Sequence, residues 1–303
     1  MEIILNQPYS FHQIGKRDYQ QDSRFPDEDM PKDYKPFFVL CDGVGGSNHG
    51  EIASKTVCLS IAKAMKNVNF EKEFSFDDFQ NVLTYMYDSL YKVMKTTTLK
   101  TSTTLTFLCF HKGGVLAAHI GDSRIYLLRP DFGVIYRSED HSLVNALVHS
   151  GSITPDQAKN HPQSNYITRS VGYSENLEDR DGAKAVQLTD IQQGDYFFMC
   201  SDGVLENIDD DELLQILSQD ISDEEKIKEI AQKSKNSSDN NTAILIGIKD
   251  VVYDVLQGEE ADSDERQDNN ETTTIKVKDA LMSKDIYPKE NKSFINRLKS
   301  YFK

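Results

Sequence analysis

Three aspartates stand at the edges of apolar runs that have the composition of buried strands. Asp42 directly follows FFVLC, Asp202 follows YFFMCS, and Asp239 stands just before NNTAILIGI. A rigid strand can aim such a carboxylate, and a cation offsets the cost of placing its charge beside a core. Carboxylates with added waters suit Mg²⁺ or Mn²⁺, whereas these segments lack the thiolate and imidazole sets typical of zinc. The three positions are therefore candidate ligands for a hard divalent cation.

Each motif by itself also has a simpler interpretation. An Asp-Gly pair such as Asp42-Gly43 is usually a turn, and Asp239-Asn240 is more often part of a loop or cap. Sequence spacing does not prove that the carboxylates converge in space. Their shared placement beside predicted strands is what favours a metal site over unrelated turns.

Apolar patterns predict the elements that position these residues. The run at 37–41 reads as a buried strand, and TTLTFLCF, GVLAAHI and SRIYLLR follow one another so closely that antiparallel hairpins must join them. Further strands are predicted in DYFFMCS and TAILIGI. Helical periodicity predicts helices over 51–66, 76–94, 141–149, 154–160, 209–218 and 223–234. Clustered antiparallel strands with separate helices indicate an α+β fold rather than a doubly wound parallel sheet.

Bulk composition argues against several classes of protein. The chain has 303 residues, 38% of them hydrophobic, which is enough for one large domain or two small ones. Its net charge of −15 argues against a nucleic-acid-binding surface, which needs clustered Lys and Arg. We see no secretory signal and no apolar run of membrane-spanning length. Widely spaced cysteines in mostly apolar stretches are typical of reduced core residues in a cytoplasmic protein: Cys41, Cys58, Cys109 and Cys200.

Composition also divides the chain into three parts. Residues 1–251 carry the predicted elements, residues 252–275 are predicted to be an acidic disordered linker, and residues 276–303 form a basic tail. In the tail, SFINRLKSYFK favours a short amphipathic segment that docks on a partner, on the protein itself or on anionic lipid, with a frayed end as the alternative. Three linker threonines are candidate phosphorylation sites, although an unmodified linker is the simpler interpretation: Thr272, Thr273 and Thr274.

Seven segments, in one fixed order, resemble a known family. The chain is similar to the metal-dependent protein phosphatases of the 2C type, in their compact bacterial form, over about residues 9–249. Any one segment is a weak signal, whereas seven in the same order form a specific pattern. The segments are GKRDYQQDS, CDGVGGSNHGEIAS, TSTTLTFL, HIGDSRIYLL, EDHSLVNALVHSGSITPDQAKNHPQSNYITRSVG, CSDGVLEN and SDNNTAIL.

The resemblance implies a fold and a metal site. The fold is a four-layer α-β-β-α sandwich, in which helices flank two central antiparallel sheets and a two-metal site lies at one end. Asp42 would bridge both metals, and the Gly43 carbonyl would be a direct ligand. Asp202 and Asp239 would hold the first metal. The glycines after Asp42 would let the backbone and a substrate phosphate come close.

Further residues match positions around the metals. Asp22 is included among the metal-site residues because it matches a position that orients metal-bound waters. Asp122 matches an aspartate that, together with the residue matched by Asp202, holds a weaker third metal. A hairpin-turn aspartate is the alternative interpretation of Asp122. Four residues match positions that surround these ligands and orient metal waters: Gln21, Thr104, Glu206 and Asn240.

The phosphate and the leaving group have candidate residues of their own. Arg17 matches the family's phosphate-binding arginine, whose planar fork suits two phosphate oxygens. Val44 stands where some relatives carry a histidine proposed to protonate the leaving alkoxide, so the general acid is open here. His161, at the border of the segment that corresponds to the family's mobile flap, is one candidate. A structural role for His161, with a metal-bound water as the acid, is the alternative.

The implied function is hydrolysis of phosphoserine and phosphothreonine in proteins. Two Mn²⁺ or Mg²⁺ ions, with a weaker third ion, would activate a bridging water for in-line attack on phosphorus. The implied partners are phosphorylated proteins and a cognate serine/threonine kinase, without nucleic acid, and we expect a cytoplasmic monomer. A catalytically weak phosphoprotein-binding regulator or scaffold on the same fold is the alternative. The complete aspartate set favours the enzyme: Asp22, Asp42, Asp122, Asp202 and Asp239.

Overall fold

The computed structural model describes residues 1–27, 34–44, 49–97, 101–159, 161–163, 165–174, 176–253 and 281–287. The strands are β1 (Glu2–Leu5), β2 (Tyr9–Gln13), β3 (Ser23–Phe25), β4 (Phe37–Cys41), β5 (Gly43–Val44), β6 (Ser102–Thr103), β7 (Leu105–His111), β8 (Gly114–Ile120), β9 (Arg124–Arg129), β10 (Gly133–Arg137), β11 (Val171–Gly172), β12 (Ala183–Leu188), β13 (Tyr196–Cys200), β14 (Asn241–Val252) and β15 (Leu281–Ile286). The α-helices are α1 (Gly50–Ala64), α2 (Phe76–Thr97), α3 (Leu143–His149), α4 (Pro155–Lys159), α5 (Asp202–Leu205), α6 (Asp210–Leu217) and α7 (Asp223–Ser234).

The strands form two large antiparallel sheets and a small one. The first sheet has the order β1-β14-β13-β9-β10, and β2 also pairs with β14, which is long enough to take both partners along one edge. The second sheet has the order β15-β12-β8-β7-β4-β3. A three-stranded sheet, β11-β6-β5, lies where β4 and β7 begin or end. The predicted hairpin between β7 and β8 is confirmed by their antiparallel pairing. The hairpin predicted between β8 and β9 is wrong, because the chain crosses there to the first sheet, in which β9 pairs with β13 and β10.

Side-chain alternation along the strands builds three hydrophobic layers. In β4, Phe37 and Val39 pack with α1 and α2, whereas Phe38 and Leu40 point into the space between the two large sheets. A third cluster joins Phe198 and Leu245 of the first sheet to α6 and α7. Helices therefore cover the outer face of each sheet, and the predicted four-layer α-β-β-α sandwich is confirmed.

Most predicted elements are present, with small shifts at their ends. The helix predicted over 141–149 starts at Leu143, because Ser142 caps it by accepting a hydrogen bond from the Asn145 amide at 3.3 Å. The helix predicted over 76–94 continues to Thr97. The sequence analysis did not predict eight of these strands, because they lack long apolar runs: β1, β2, β3, β5, β6, β10, β11 and β12.

The C-terminal tail contributes a strand that was not predicted. Residues 281–286 form β15, which pairs with β12 along its whole length, and buries Ile286 in the cluster that contains α2. The sheet thus extends beyond the predicted domain boundary at residue 251. The other C-terminal expectations lie outside the described residues: most of the linker, Thr272 to Thr274, and the amphipathic segment after residue 292. No helix within the described ranges has the length and apolar character needed to cross a membrane.

Candidate active site

Asp42 leaves the end of β4 with its backbone held by two threonines. Its amide donates to Thr104 Oγ1 at 2.9 Å, and its carbonyl accepts from the Thr104 amide and from Thr103 Oγ1, each at 2.8 Å. Thr104 Oγ1 shares a further hydrogen bond of 2.7 Å with Ser123 Oγ. These bonds fix the main chain, so strand ends rather than a loose turn direct the Asp42 side chain.

Glycine follows Asp42 because three main-chain segments meet there. A Cβ added at Gly43 would lie 2.6 Å from the carbonyl carbon of Gly50 and 2.7 Å from the carbonyl oxygen of Gln21. The Gly43 amide donates to that Gln21 oxygen at 3.2 Å, and Ser54 Oγ donates to it at 2.6 Å. The glycine thus permits the close backbone approach that was expected. Metal ligation by its carbonyl stays a prediction.

Asp122 and Asp202 come to the same place from different strands. Asp202 is the first residue of α5, directly after β13, and Asp122 lies in the turn between β8 and β9. Gly121 makes that turn with a φ of +104°, a conformation that glycine adopts without strain. The carboxyl groups of Asp42 and Asp202 lie close enough for each to shift the pKa of the other, and the charge of Asp122 also acts on Asp42. The structure therefore brings Asp42 and Asp202 together, with Asp122 beside them.

Burial and mutual repulsion raise the pKa values of four carboxyl groups at this site. Burial raises the pKa of Asp22 to about 7 and that of Asp122 to about 7, and the charge of Asp202 adds to burial in both cases. The pKa of Asp42 is raised well above its ordinary value by burial and by the charges of Asp22, Asp202 and Asp122. Burial, with the charge of Asp239, also raises the pKa of Asp202. Such a cluster retains protons unless cations replace them.

Asp22 is fixed by two hydroxyl groups that the sequence analysis did not identify. Its Oδ2 accepts hydrogen bonds from Ser201 Oγ at 2.9 Å and from Thr242 Oγ1 at 2.7 Å. Ser201 immediately precedes Asp202, and Thr242 lies in β14, three residues after Asp239. The Asp22 carboxylate therefore links the segments that carry the two predicted ligands of the first metal. In the sequence, the nearness of Ser201 to Asp202 and of Thr242 to Asp239 was the available indication that these hydroxyl groups belong to the site.

Glu206 fixes the loop that carries Asp239. Its carboxylate accepts from Ser237 Oγ at 2.7 Å, from the Ser238 amide at 2.7 Å and from Ser238 Oγ at 2.5 Å. Burial alone would raise the pKa of Glu206, but the hydrogen bonds from Ser238 and Ser237 outweigh it and lower the pKa below its usual value. Glu206 therefore acts here as a charged anchor for the loop.

Asn240 joins that loop to the segment that carries Arg17. Its Nδ2 donates to the carbonyl oxygens of Ile14 at 2.9 Å and Tyr19 at 3.0 Å, and its Oδ1 accepts from the Gln21 amide at 2.8 Å. Arg17, between these contacts, donates through Nη2 to Asp239 Oδ2 at 2.6 Å. Its side chain is 47% exposed, so the guanidinium can reach a ligand in the cleft.

A cleft of about 620 Å³ lies beside Arg17 and several of the carboxylates described above. Residues of α3 and α4 line it together with charged side chains. The lining residues that matter here are Arg17, Asp122, Asp202, Glu206, Asp239 and Asn165. A cleft of this size, lined by carboxylates and by a partly exposed arginine, suits an anionic group bound through cations.

Two further lining residues received no role from the sequence. Arg124 forms a two-pronged ion pair with Asp140, with Nε–Oδ1 and Nη2–Oδ2 distances of 2.7 Å each. In the sequence, the position of Arg124 two residues after Asp122 was the available indication that this pair lies at the site. The Gln21 side chain lies beside Gly50, near Asp42. His161 is not among the described residues that line the cleft, and its Nδ1 accepts from the Gln163 amide at 3.2 Å.

The donor set fits divalent cations in its chemistry. One carboxylate oxygen of Asp22 and one of Asp202 are buried without a hydrogen-bond partner among the described residues. No three His, Cys, Asp or Glu side chains in the described part of the chain are placed to hold one ion as they stand. Asp239 instead pairs with Arg17, and Asp42 contacts Asp202. Cation binding must therefore separate these pairs, and it would satisfy the buried oxygens and relieve the repulsion.

Known proteins with similar sequences and folds are phosphatases. The model of the family Protein phosphatase 2C matches residues 15–243. A putative protein phosphatase 2C-type of Streptococcus pyogenes is 32% identical over 219 residues, which are 69% of this chain and 84% of that protein. The structure of the serine/threonine phosphatase Stp1 from Staphylococcus aureus has a TM-score of 0.70 and 27% identity, over 82% of this chain and 98% of that chain.

A further solved structure shares the fold. The catalytic domain of the serine/threonine protein phosphatase PstP, in complex with two manganese ions, has a TM-score of 0.65 and 23% identity, over 82% of this chain and all of that chain, 100%. At this identity the likeness concerns the fold.

Fold, carboxylate site and matched sequence together define a metal-dependent protein phosphatase. The chain belongs to the protein phosphatase 2C family, because the family model covers most of its length and a relative shares about a third of its residues. It is accordingly a protein serine/threonine phosphatase, and the alternative of a catalytically weak binding protein is not favoured.

Proposed function

We propose that this phosphatase hydrolyses phosphoserine and phosphothreonine at a pair of Mn²⁺ or Mg²⁺ ions held by Asp42, Gly43, Asp202 and Asp239. The observation that carries the proposal is the proximity of the Asp42 carboxyl group to that of Asp202, which lines the cleft together with Arg17 and Asp239. Manganese is supported further by the fold shared with PstP, which was solved with two manganese ions.

The chain's own residues prepare the site for the metals and the nucleophile. When bound, the ions supply Lewis acidity that makes water nucleophilic near neutral pH and neutralises phosphate charge. Asp42 and Asp202 present carboxylates from fixed strand ends, and Glu206 holds the loop that presents Asp239. Asp22 keeps one buried oxygen without a hydrogen-bond partner among the described residues, while Ser201 and Thr242 hold the other.

Arg17 is proposed to bind the substrate phosphate. Its guanidinium rests on Asp239 and is half exposed at the edge of the cleft, so it can turn to two phosphate oxygens. Asn240 keeps the Arg17 segment beside the metal ligands through three hydrogen bonds. The phosphate is thereby oriented for in-line displacement of the serine or threonine oxygen.

Asp122 is proposed to assist departure of the leaving group. It lines the cleft at the turn after β8, near Asp202, as a site for a weaker third ion requires. A proton is needed there because a serine or threonine alkoxide is a poor leaving group. His161 is kept as an alternative acid.

The biological setting is proposed from the chemistry. Substrates that are phosphoproteins imply a cognate serine/threonine kinase. The four free, buried cysteines suit a reducing compartment, so we place the chain in the cytoplasm. We also propose that it is a monomer.

The decisive test is metal-dependent hydrolysis of p-nitrophenyl phosphate and of a phosphothreonine peptide. Wild type should be active with Mn²⁺ and inactive after chelation by EDTA. Asp42→Asn should lose about 10³-fold or more in kcat, whereas Asp211→Asn, an exposed aspartate on α6, should behave as wild type. Turnover by Asp42→Asn equal to wild type, or turnover that survives EDTA, would contradict the proposal. Tight phosphopeptide binding without metal-dependent turnover would restore the binding-protein alternative.

A further inference from the structure

A second cavity, of about 540 Å³, lies beside the active-site cleft. We call it the lateral cavity. Asp140, Ser142 and Asn145 line both spaces, so the two are separated by little more than the first turn of α3. A peptide whose phosphorylated residue enters the cleft therefore has neighbouring residues within reach of the lateral cavity.

One wall of the lateral cavity is a row of side chains across three strands. Lys184 of β12 is paired in register with His119 of β8 on one side and with Asp285 of β15 on the other. Directly paired residues in an antiparallel sheet project on the same face, so these three side chains line one wall together. The strand β15 lies outside residues 15–243, which match the family. The wall is therefore completed by an addition to the family's matched segment.

Lys184 is the cationic side chain of this cavity that has no partner among the described residues. Within the described ranges no ion pair or hydrogen bond engages its ammonium group, whereas the other charged lining side chains each have an ion-pair partner. Those pairs are Arg169–Asp285, Arg137–Asp210, Arg124–Asp140 and His149–Glu139. A partly buried ammonium group that faces a polar cavity without a partner is well placed to take an anionic ligand.

Two histidines of the cavity, His119 and His141, do not add positive charge to it. His119 and His141 stack with ring centroids 4.6 Å apart. The pKa of His141 is lowered to about 3, first by burial and then by the charges of His119, Arg169 and Lys184, which outweigh the opposing charge of Asp285. Both rings are therefore neutral at physiological pH, and they add no cation that would compete with Lys184.

We propose that the lateral cavity is a second substrate-binding subsite, in which Lys184 binds an anionic group close in sequence to the phosphorylated residue. This inference rests on the proposed function, since it requires a phosphopeptide in the adjacent cleft. The anionic group is a carboxylate side chain or a second phosphate, which share the chemistry that an ammonium group recognises. The C-terminal strand completes the subsite through Ser283 and Asp285.

The test is steady-state kinetics of the full chain with matched phosphopeptides. Peptides carry one phosphothreonine, and Glu, Gln or a second phosphoserine is placed at each flanking position in turn. Wild type should prefer the anionic peptides over the Gln peptide at one position by about 3- to 10-fold in kcat/KM. Lys184→Gln should abolish this preference but keep turnover of the neutral peptide and of p-nitrophenyl phosphate, which shows that the catalytic site is intact.

Two further variants exclude simpler explanations. Lys284→Gln removes the same charge from β15 at a position that alternates to the opposite face, and it should keep the preference. Lys184→Glu should transfer the preference to peptides with Lys at that position. The preferred peptide, Glu or second phosphoserine, identifies the natural ligand. No anion preference in wild type, or an equal loss in Lys284→Gln, overturns the subsite, whereas inactivity of wild type on every substrate refutes the proposed function itself.

Discussion

The Arg17 guanidinium donates to Asp239 Oδ2 at 2.6 Å, so the predicted phosphate ligand rests on a predicted metal ligand. This hydrogen bond, together with the charges of Asp239, Asp202 and Asp42, raises the pKa of Arg17. Each partner thus occupies the other's ligand position in the structure. Binding of metal and phosphate must exchange these contacts together, which couples the two ligands.

Replacement of Arg17 should separate phosphate binding from metal binding. Arg17→Ala should raise KM for p-nitrophenyl phosphate by about 10- to 100-fold, because a charge-assisted pair of hydrogen bonds is lost. Mn²⁺ affinity, measured by calorimetry, should stay equal or increase, since Asp239 no longer pairs with a cation of the chain. A lower Mn²⁺ affinity together with unchanged KM would contradict this assignment.

The buried carboxylates predict how the stability of the metal-free protein depends on pH. The pKa values of Asp22 and Asp122 are raised from 3.8 to about 7 on folding, so their contribution is favourable at low pH and is lost as pH rises toward 7. His12 and His141 act in the opposite direction, because burial lowers their pKa values to about 4 and about 3. Wild type must therefore be compared with a carboxyl-to-amide variant at each pH.

We expect wild type to lose about 1–3 kcal/mol in free energy of unfolding relative to Asp22→Asn between about pH 5 and about pH 8. Urea unfolding in EDTA measures the difference, from which the histidine contribution cancels. Saturating Mn²⁺ should remove most of it, because the cation neutralises the carboxylates. A pH-independent difference would mean that Asp22 is charged throughout and that its repulsion is compensated within the fold.

Asp122 should matter most for substrates with poor leaving groups. Asp122→Ala should retain the fold and the tight metal pair, yet lower kcat on a phosphopeptide about 10²-fold and on p-nitrophenyl phosphate by much less. The reason is that p-nitrophenolate leaves without a proton, whereas a serine alkoxide needs one. Kinetics on both substrates at saturating Mn²⁺, with calorimetry for the metals, provide the measurement. A small and equal loss on both would leave Asp122 as a turn residue.

The close approach at Gly43 should not tolerate a side chain. In Gly43→Ala the new Cβ would meet main-chain atoms of Gly50 and Gln21 at 2.6–2.7 Å, so α1 or the Asp42 segment must move. We expect a loss of about 1–3 kcal/mol in stability and weaker Mn²⁺ binding. Gly172→Ala is the control, since its Cβ would meet Ser102 at an ordinary 3.4 Å. Equal effects of both substitutions in thermal unfolding would refute the steric argument.

Removal of β15 should cost stability without abolishing chemistry. A chain that ends at Val251 retains every proposed metal ligand, so its turnover of p-nitrophenyl phosphate should stay within about twofold of wild type. It loses the buried Ile286 and exposes the β12 edge, which should lower Tm by several degrees, roughly 3–8 °C. A chain that ends at Tyr287 keeps the strand and should match wild type. A large fall in turnover would place the tail within the catalytic fold.

The sequence alone determined the parts of the site that local pattern encodes. FFVLC before Asp42 and YFFMCS before Asp202 are uniform apolar runs, and such runs are strands whose ends have predictable positions. The order of seven motifs added the family, and through it the sandwich and the candidate ligands. Helices also followed from periodicity, as in α7, which was predicted over 223–234 and spans Asp223–Ser234.

Only the tertiary structure decided which groups meet. Ser201 and Thr242 both bond Asp22 across about two hundred residues of sequence, a relationship that no local pattern carries. The strand β15 was missed for a related reason: LMSKDI has neither a long apolar run nor clean alternation, and it becomes a strand through pairing with β12. The lateral cavity likewise exists because register places Lys184 between His119 and Asp285. Short polar segments acquire their role from the neighbour they pair with, and a linear sequence does not contain that neighbour's position.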